Sequence, residues 1–206
     1  LGPGAPKPTE LMRRELDSEM PDEDAIRRDL APAVAARLAE VRDRFEGGER
    51  DAVAAVLENL LAAQLDDRHE PLLDRLDRLA RSDASLRPGA RALQGDAIAF
   101  VRAGAVIRGL ESWRRAFTIA WLSRRFDCAI FGDPTLDDAW GCRATVLGHV
   151  DHDAQAATYG LGRVGLNVMR WQDDVGLNLK PFEIAASGVP VLCERRRGLD
   201  DCFAPE

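Results

Sequence analysis

Residues 164–197 constrain the fold of this chain more than any other stretch. They read VGLNVMRWQDDVGLNLKPFEIAASGVPVLCERRR. Two short apolar runs, residues 164–168 and 189–193, are typical of strands buried on both faces of a parallel sheet. A glycine-containing loop and a helical segment lie between them, and the helix is expected to end at Gly188, where positive φ is needed. The pattern predicts a strand–helix–strand unit with parallel strands.

Such a unit also predicts where a ligand would bind. Ligands lie beyond the carboxyl ends of parallel strands, near the N-terminus of the following helix. This places Gly176, Asn178, Lys180 and Glu183 near a ligand crevice. The helix N-terminus and Lys180 would attract phosphate, while Glu183 could accept hydrogen bonds from two ribose hydroxyls. Each residue alone is an ordinary helix residue, so only their joint arrangement favours a nucleotide diphosphate.

Two further strands are predicted before this unit, over residues 126–131 and 144–147. Asp151 or Asp153 could cap a helix that runs to about residue 161. The order predicts an α/β fold with a Rossmann-like parallel sheet, preceded by a helix over residues 110–125. The strand ends, which we expect to open on one edge of the sheet, are Gly132, Gly148, Arg170 and Arg195.

The first part of the chain has a helical pattern instead. After a lead-in over residues 1–9 that we expect to be disordered, apolar residues recur every three or four positions. The first apolar stripe is Leu30, Val34, Leu38, Val41 and Phe45. We expect packing helices here, forming a bundle or an arm that could support self-association.

The helical region is predicted to end at a turn-rich joint over residues 82–95, centred on Pro88 and Gly89. We therefore divide the chain into a helical region, residues 1–95, and a Rossmann-like domain, residues 96–206. The second begins with one or two helices whose aromatic residues, Trp113, Phe117 and Trp121, are expected in its core. We also expect the sequence to be a fragment at both ends.

Charge and composition exclude several classes of function. The net charge of −7 argues against a nucleic acid as the main partner. No apolar run approaches the length of about 18 residues that a membrane span requires. No signal peptide is visible, and we expect a cytoplasmic protein. The cysteines lack CxxC spacing, so disulfide and metal roles are poorly supported. Cys128 and Cys193 lie in apolar strand-like runs and are expected to be small buried side chains.

Residues from about 126 to the end resemble the C-terminal half-domain of GT-B glycosyltransferases, most closely the group 1, CgeB-type (spore-maturation-protein-like) branch. The resemblance is carried by GHVDHDAQAATYGLGRVGLNVMRW and by GLNLKPFEIAASGVPVLCE. The matching positions of the second motif are Gly176, Leu177, Lys180, Phe182, Glu183, Ala186, Gly188, Pro190, Val191 and Leu192.

The resemblance implies a hexosyltransferase-like enzyme that uses a nucleotide-diphosphate sugar as donor, with no metal and no other cofactor. Glu183 would hold the donor ribose, and Lys180 with the backbone of residues 176–178, including Leu177, would face the diphosphate and sugar. His149 and Val150 would lie near the nucleobase. No catalytic residue is assigned, because in this family the catalytic base comes from an N-terminal domain that is not recognisable here. The fragment alone is expected to be inactive.

Alternatives remain open from the sequence. The family often carries an acidic residue eight positions before the glutamate, but Val175 stands there and Asp174 is one residue away. This departure supports a non-catalytic binding or interaction module with a degenerate transferase domain. A receiver-like acidic pocket built from Asp133 and Asp151 is a further alternative. The donor nucleotide, the sugar and the acceptor are not specified.

Overall fold

A computed structural model describes residues 7–131, 138–169, 178–195 and 197–203. It confirms a helix-rich α/β protein with small parallel sheets. The α-helices are α1 (Glu10–Glu15), α2 (Glu23–Arg42), α3 (Gly47–Asp66), α4 (Leu72–Ser82), α5 (Arg87–Gly95), α6 (Ala97–Arg108), α7 (Arg114–Ser123), α8 (Gln155–Tyr159), α9 (Lys180–Ala186) and α10 (Arg197–Asp200). Short 3-10 turns span Ala84–Leu86, Gly109–Glu111, Asp138–Trp140 and His152–Ala154. The strands are β1 (Ala129–Ile130), β2 (Thr145–Val146), β3 (Gly165–Asn167) and β4 (Val191–Cys193).

The chain divides into two compact units. One unit, which we call the helical unit, spans Asp22–Glu111, and the other, the α/β unit, combines Leu1–Pro21 with Ser112–Glu206. The sequence-based boundary between residues 95 and 96 stays a prediction. Each unit is described on its own below.

The helical unit is built from α2 to α6 around one apolar core. The predicted stripe of α2 is buried in this core at Val34, Leu38 and Val41, with Leu30 and Phe45 packed against it. Apolar side chains at helical spacing leave water most efficiently when they face neighbouring helices, which explains the agreement between pattern and burial. Asp96 begins α6, because its carboxylate accepts hydrogen bonds from the N–H groups of Ile98 and Ala99.

The predicted turn-rich joint is wrong for residues 87–95, which form α5. Pro88 lies in the first turn of this helix, where the missing N–H of proline costs no hydrogen bond. Gly89 serves close packing: a Cβ there would lie 2.1 Å from the carbonyl oxygen of Ala52 on α3. Pro88 thus suits the first turn of α5, and Gly89 allows the close contact between α5 and α3.

Two buried arginines bind the C-terminal end of α3. Arg27 donates to the carboxylate of Glu111 at 2.9 Å and to the carbonyl of Leu65 at 2.9 Å. Arg75 is 1% exposed and donates to the side chain of Gln64 and to the carbonyl of Glu70. Guanidinium groups suit this task because their donors form a rigid fork.

In the α/β unit, the first described residues pack with α7. Thr9 caps α1, and Met12 and Leu16 are buried. The indole N–H of Trp121 donates to the carbonyl of Ser18 at 2.9 Å. The expected disorder of the lead-in concerns residues that lie mostly outside the described part, since only residues 7–9 of it are described.

Of the three aromatic residues predicted for the core of this unit, two are buried. Trp113 and Phe117 are buried and meet edge to face, with ring centroids 5.3 Å apart. Trp121 is half-buried. Helix α7 is shorter than the predicted helix over residues 110–125, because a 3-10 turn occupies its first residues.

The strands pair in parallel, but in two sheets. β1 pairs with β2, with Ala129 opposite Thr145, and β3 pairs with β4, with Leu166 opposite Leu192. Within the described residues, the expected single sheet with one open edge is therefore wrong. Strands of two or three residues form few ladder hydrogen bonds, which gives little energy to extend pairing across a wider sheet.

The β3–β4 sheet is covered on one side only within the described residues. Ile184 of α9 packs on Gly165, whereas Leu166 and Leu192 are 39% and 54% exposed. The prediction that both faces are buried is wrong for these positions. None of the helices in the described residues is long and apolar enough to cross a bilayer.

Candidate functional site

The predicted strand–helix–strand unit is present as β3, α9 and β4. Gly165 lets α9 lie close to β3, because a Cβ at this position would be 2.3 Å from Cγ2 of Ile184. Gly188 has a φ of 77° and its N–H donates to the carbonyl of Ala185, as predicted for the end of this helix. The middle of α9 therefore packs against the first residue of β3.

Asn178 links the end of β3 to the start of α9. Its amide nitrogen donates to Oδ1 of Asn167 at 3.4 Å, and its Oδ1 accepts from the backbone N–H of Lys180 at 3.0 Å. Asn167 is the last residue of β3 and is 6% exposed, and its own amide nitrogen lies 3.1 Å from the sulfur of Met169. This short chain of amides positions Lys180 relative to the strand.

The Lys180 ammonium lies between α8 and α9. Its Nζ is 2.7 Å from Oε2 of Glu183, one turn further along α9, and 3.0 Å from Oε1 of Gln155 on α8. It also lies 6.0 Å above the centre of the Tyr159 ring. We call these four residues the Lys180 cluster: Gln155, Tyr159, Lys180 and Glu183.

The protonation state of Lys180 follows from these contacts. Partial burial alone would lower its pKa, but the hydrogen bonds to Glu183 and to the Tyr159 hydroxyl outweigh burial and raise the pKa above its ordinary value. The group is therefore a cation at neutral pH. About half of its side chain is exposed, whereas Glu183 is more buried, so the cation stays accessible to an anionic ligand.

The positive charge of the Lys180 cluster comes from the ammonium and not from the backbone N–H groups at the N-terminus of α9. Helix α9 has seven residues, the N–H of Lys180 is already bonded to Asn178, and Pro181 has no N–H. The predicted contribution of backbone donors to phosphate binding is correspondingly small for these two residues. The site depends on side-chain chemistry.

The structure brings together part of the predicted site. Asn178, Lys180 and Glu183 are joined directly or through one another. His149 is exposed and Val150 half-buried in the segment after β2, and no described hydrogen bond joins them to Lys180 or Glu183. Gly176 and Leu177 lie outside the described residues, as do Asp174 and Val175.

Three residues that contribute to the candidate site were not predicted from the sequence: Asn167, Tyr159 and Gln155. Asn167 could have been found, because it is a polar residue inside an apolar strand pattern and such residues are usually hydrogen-bonded when buried. Tyr159 and Gln155 lie in a short helix within the motif GHVDHDAQAATYGLGRVGLNVMRW, which carries the family resemblance, but neither residue was predicted to have a role in the site. Their role follows only from the packing of α8 beside α9.

Cysteines and acidic clusters add no second site in the described residues. All four cysteines are free, and burial raises the pKa of the Cys128 and Cys193 thiols, which keeps them protonated at neutral pH. No group of three or more His, Cys, Asp or Glu side chains in the described part is arranged to hold a metal ion.

Comparison with known families points to the same unit. Residues 114–206 match the model of a family described as glycosyl transferase-like. The match begins within two residues of Ser112, where the longer segment of the α/β unit starts, and it includes the whole Lys180 cluster. The comparisons with curated proteins and with solved structures found no match. The C-terminal part of this chain is thus similar to a glycosyltransferase family, and sugar transfer is the general activity that this similarity supports.

Proposed function

We propose that the α/β unit binds a nucleotide-diphosphate sugar and serves as the donor-binding part of a GT-B-type, CgeB-like glycosyltransferase. The observation that carries the proposal is the pairing of the Lys180 ammonium with the Glu183 carboxylate at the start of α9, 2.7 Å apart, within the matched region. One group is a cation for phosphate and the other an acceptor for hydroxyl groups.

Lys180 would neutralise the diphosphate of the donor. An ammonium beside a nucleoside diphosphate is most useful as the sugar leaves, when negative charge grows on the phosphate oxygen that departs with the nucleotide. The raised pKa of Lys180 keeps the ammonium charged throughout the neutral pH range. This role needs no metal ion, which a binding assay with and without divalent cations would test.

Glu183 would hold the ribose. Its Oε2 is paired with Lys180, and Oε1 has no hydrogen bond within the described residues, so the carboxylate can still accept from two neighbouring hydroxyls. His149 and Val150 stay proposed as neighbours of the nucleobase, and Gly176, Leu177 and Asn178 as backbone contacts of the diphosphate and sugar. Self-association through the N-terminal helices and a cytoplasmic location remain predictions from the sequence, and no acceptor is assigned.

The proposal is tested by titrating the chain with UDP and GDP, each compared with its monophosphate, by isothermal titration calorimetry. We expect one diphosphate to bind more tightly than its monophosphate, and Glu183→Gln to weaken that binding about tenfold, as expected for losing a hydrogen bond to a charged group. Glu10→Gln, the same change on exposed α1, is the matched control and should bind normally. Equal binding by Glu183→Gln would overturn the assignment of the ribose contact.

A non-catalytic binding module is the second candidate. Val175, in place of the acidic residue that the related family often carries at the sugar, favours it. This candidate predicts nucleotide binding without hydrolysis or transfer of the sugar, even when the complete gene product is assayed. Release of free nucleotide from a nucleotide sugar by that product would exclude it.

A further inference from the structure

Gln155 has a place in the Lys180 cluster that its sequence position does not suggest. It is the first residue of α8, and its half-buried side chain accepts a hydrogen bond from the ammonium of Lys180 at 3.0 Å. The two residues are 25 positions apart in the chain. The contact therefore joins α8, which precedes β3 in the chain, to α9, which follows β3. Gln155 otherwise has no assigned role.

Gln155 and Glu183 make chemically unequal contacts with the ammonium. Glu183 provides a charged oxygen, which makes the stronger hydrogen bond, and Gln155 provides a neutral one. One carboxylate and one ammonium cancel, and the amide of Gln155 adds no charge. The amide thus orients the ammonium without adding a negative charge that would oppose an incoming phosphate.

We propose that Gln155 is a positioning residue for donor binding, whose neutral acceptor holds the Lys180 ammonium in place and keeps this contact while the diphosphate is bound. This inference rests on the proposed function of the same site. It explains why a neutral side chain is suitable at position 155. A carboxylate there would give Lys180 two negative partners, and the diphosphate would then compete with both.

The discriminating substitution is Gln155→Glu, which keeps the size of the side chain and adds a negative charge. We expect it to weaken binding of the preferred nucleoside diphosphate about tenfold, because a like charge is placed beside the phosphate. Binding of the uncharged nucleoside, measured by ligand-observed NMR, should change less than twofold, since it does not depend on the ammonium. A merely structural role would weaken both ligands alike.

Ala157→Glu is the matched control for charge. Ala157 is exposed and lies two residues further along α8, which places it on the opposite side of the helix from Gln155. The affinity of the Ala157→Glu variant for the diphosphate should lie within about twofold of that of the parent chain, because an exposed charge is screened by salt. Equal weakening by both glutamates would overturn the proposal, since the effect would then be one of general charge.

Gln155→Met removes the acceptor but keeps the length of the side chain. It provides a second test of the proposal if the Gln155→Glu variant does not fold. We expect a loss of about threefold in diphosphate affinity with an unchanged nucleoside affinity, because a flexible lysine is less well placed without this partner. If both Gln155 variants bound the diphosphate as tightly as the parent chain, the role of Gln155 would be overturned, but the proposed function would not. Failure of the parent chain to bind any nucleoside diphosphate would overturn the proposed function and this inference together.

Discussion

Gly165 of β3 lies directly beneath Ile184 of α9, so close that a methyl group on Gly165 would be 2.3 Å from Cγ2 of the isoleucine. Ile184 is 1% exposed and anchors α9 to the sheet. The same helix carries Lys180 and Glu183. The distance between β3 and α9 therefore determines where the two charged groups of the candidate site lie.

Gly165→Ala should displace α9 from β3. We expect a loss of about 2 kcal/mol in the free energy of unfolding, the usual scale for overpacking a core, measured by urea denaturation. Gly162→Ala is the control, because a Cβ there would have its nearest neighbour at 3.5 Å, an ordinary contact. Shortening the partner in Gly165→Ala/Ile184→Ala should cost less than the sum of the single changes. Additive losses would show that the two residues do not clash.

Arg27 should be essential to the helical unit. Arg27→Met removes the partner of the Glu111 carboxylate, which is 9% exposed, and the donor to the carbonyl of Leu65. We expect a loss of about 3 kcal/mol, because a buried charge is left less well compensated. Arg27→Lys should restore little, since one ammonium cannot replace a guanidinium fork.

For Arg27 and Glu111, the contribution of charge to the free energy of unfolding can be separated from that of packing. In Arg27→Met/Glu111→Gln, the buried negative charge is removed together with its partner. Thermal and urea unfolding should show the double variant to be less destabilised than the sum of the single variants. If the two losses simply add, the ion pair contributes no coupling and our account of the end of α3 is wrong.

The region of the candidate site could be predicted from the sequence because its local signals agree with the tertiary structure. The apolar runs of β3 and β4 and the glycine after α9 each reflect backbone chemistry that acts within a few residues. The apolar stripe of α2 was equally clear, since burial of one helix face follows the helical period. These elements needed no knowledge of distant contacts.

The remainder depends on contacts between distant residues, and a single sequence does not specify those. Helix α5 was missed because Pro88 and Gly89 usually indicate a turn, whereas here the glycine fits against Ala52. The contact between Gln155 and Lys180 depends on how α8 packs beside α9. The division of the strands between two sheets likewise follows from pairing, which periodicity cannot specify.

Asp96 should contribute to the loss of stability in acid. Hydrogen bonds from the backbone of Ala99, and then from Arg44, hold the pKa of its carboxyl below the ordinary range. Because the folded-state pKa is below that of the unfolded chain, the carboxylate stabilises the fold at neutral pH. That contribution is lost as the pH falls through the folded-state pKa.

Asp96→Asn tests this assignment, since asparagine still caps α6 but does not titrate. Urea denaturation between about pH 7 and pH 3 should show a shallower fall in stability than in the parent chain. Asp51→Asn, on the exposed side of α3, should leave the slope closer to that of the parent. An unchanged slope in Asp96→Asn would mean that other carboxylates account for the acid sensitivity.

Thiol reactivity should be dominated by Cys202, the exposed cysteine. Burial raises the pKa of the Cys128 and Cys193 thiols, so little of either is present as the reactive thiolate at neutral pH. A chromogenic disulfide reagent should therefore give one fast phase in the native chain, and Cys202→Ser should remove it. A fast phase that persists in this variant would contradict the conclusion that partial burial protects the other thiols.

The most direct test of the donor site is a double-mutant cycle between Glu183 and the ribose hydroxyls. Calorimetry would compare the preferred nucleoside diphosphate with its 2′,3′-dideoxy analogue, in the parent chain and in Glu183→Gln. We predict that removing the hydroxyls weakens binding to the parent about tenfold and changes binding to Glu183→Gln by less than about twofold, since their charged acceptor is already gone. Equal weakening in both proteins would contradict the proposal that Glu183 holds the ribose of the sugar donor.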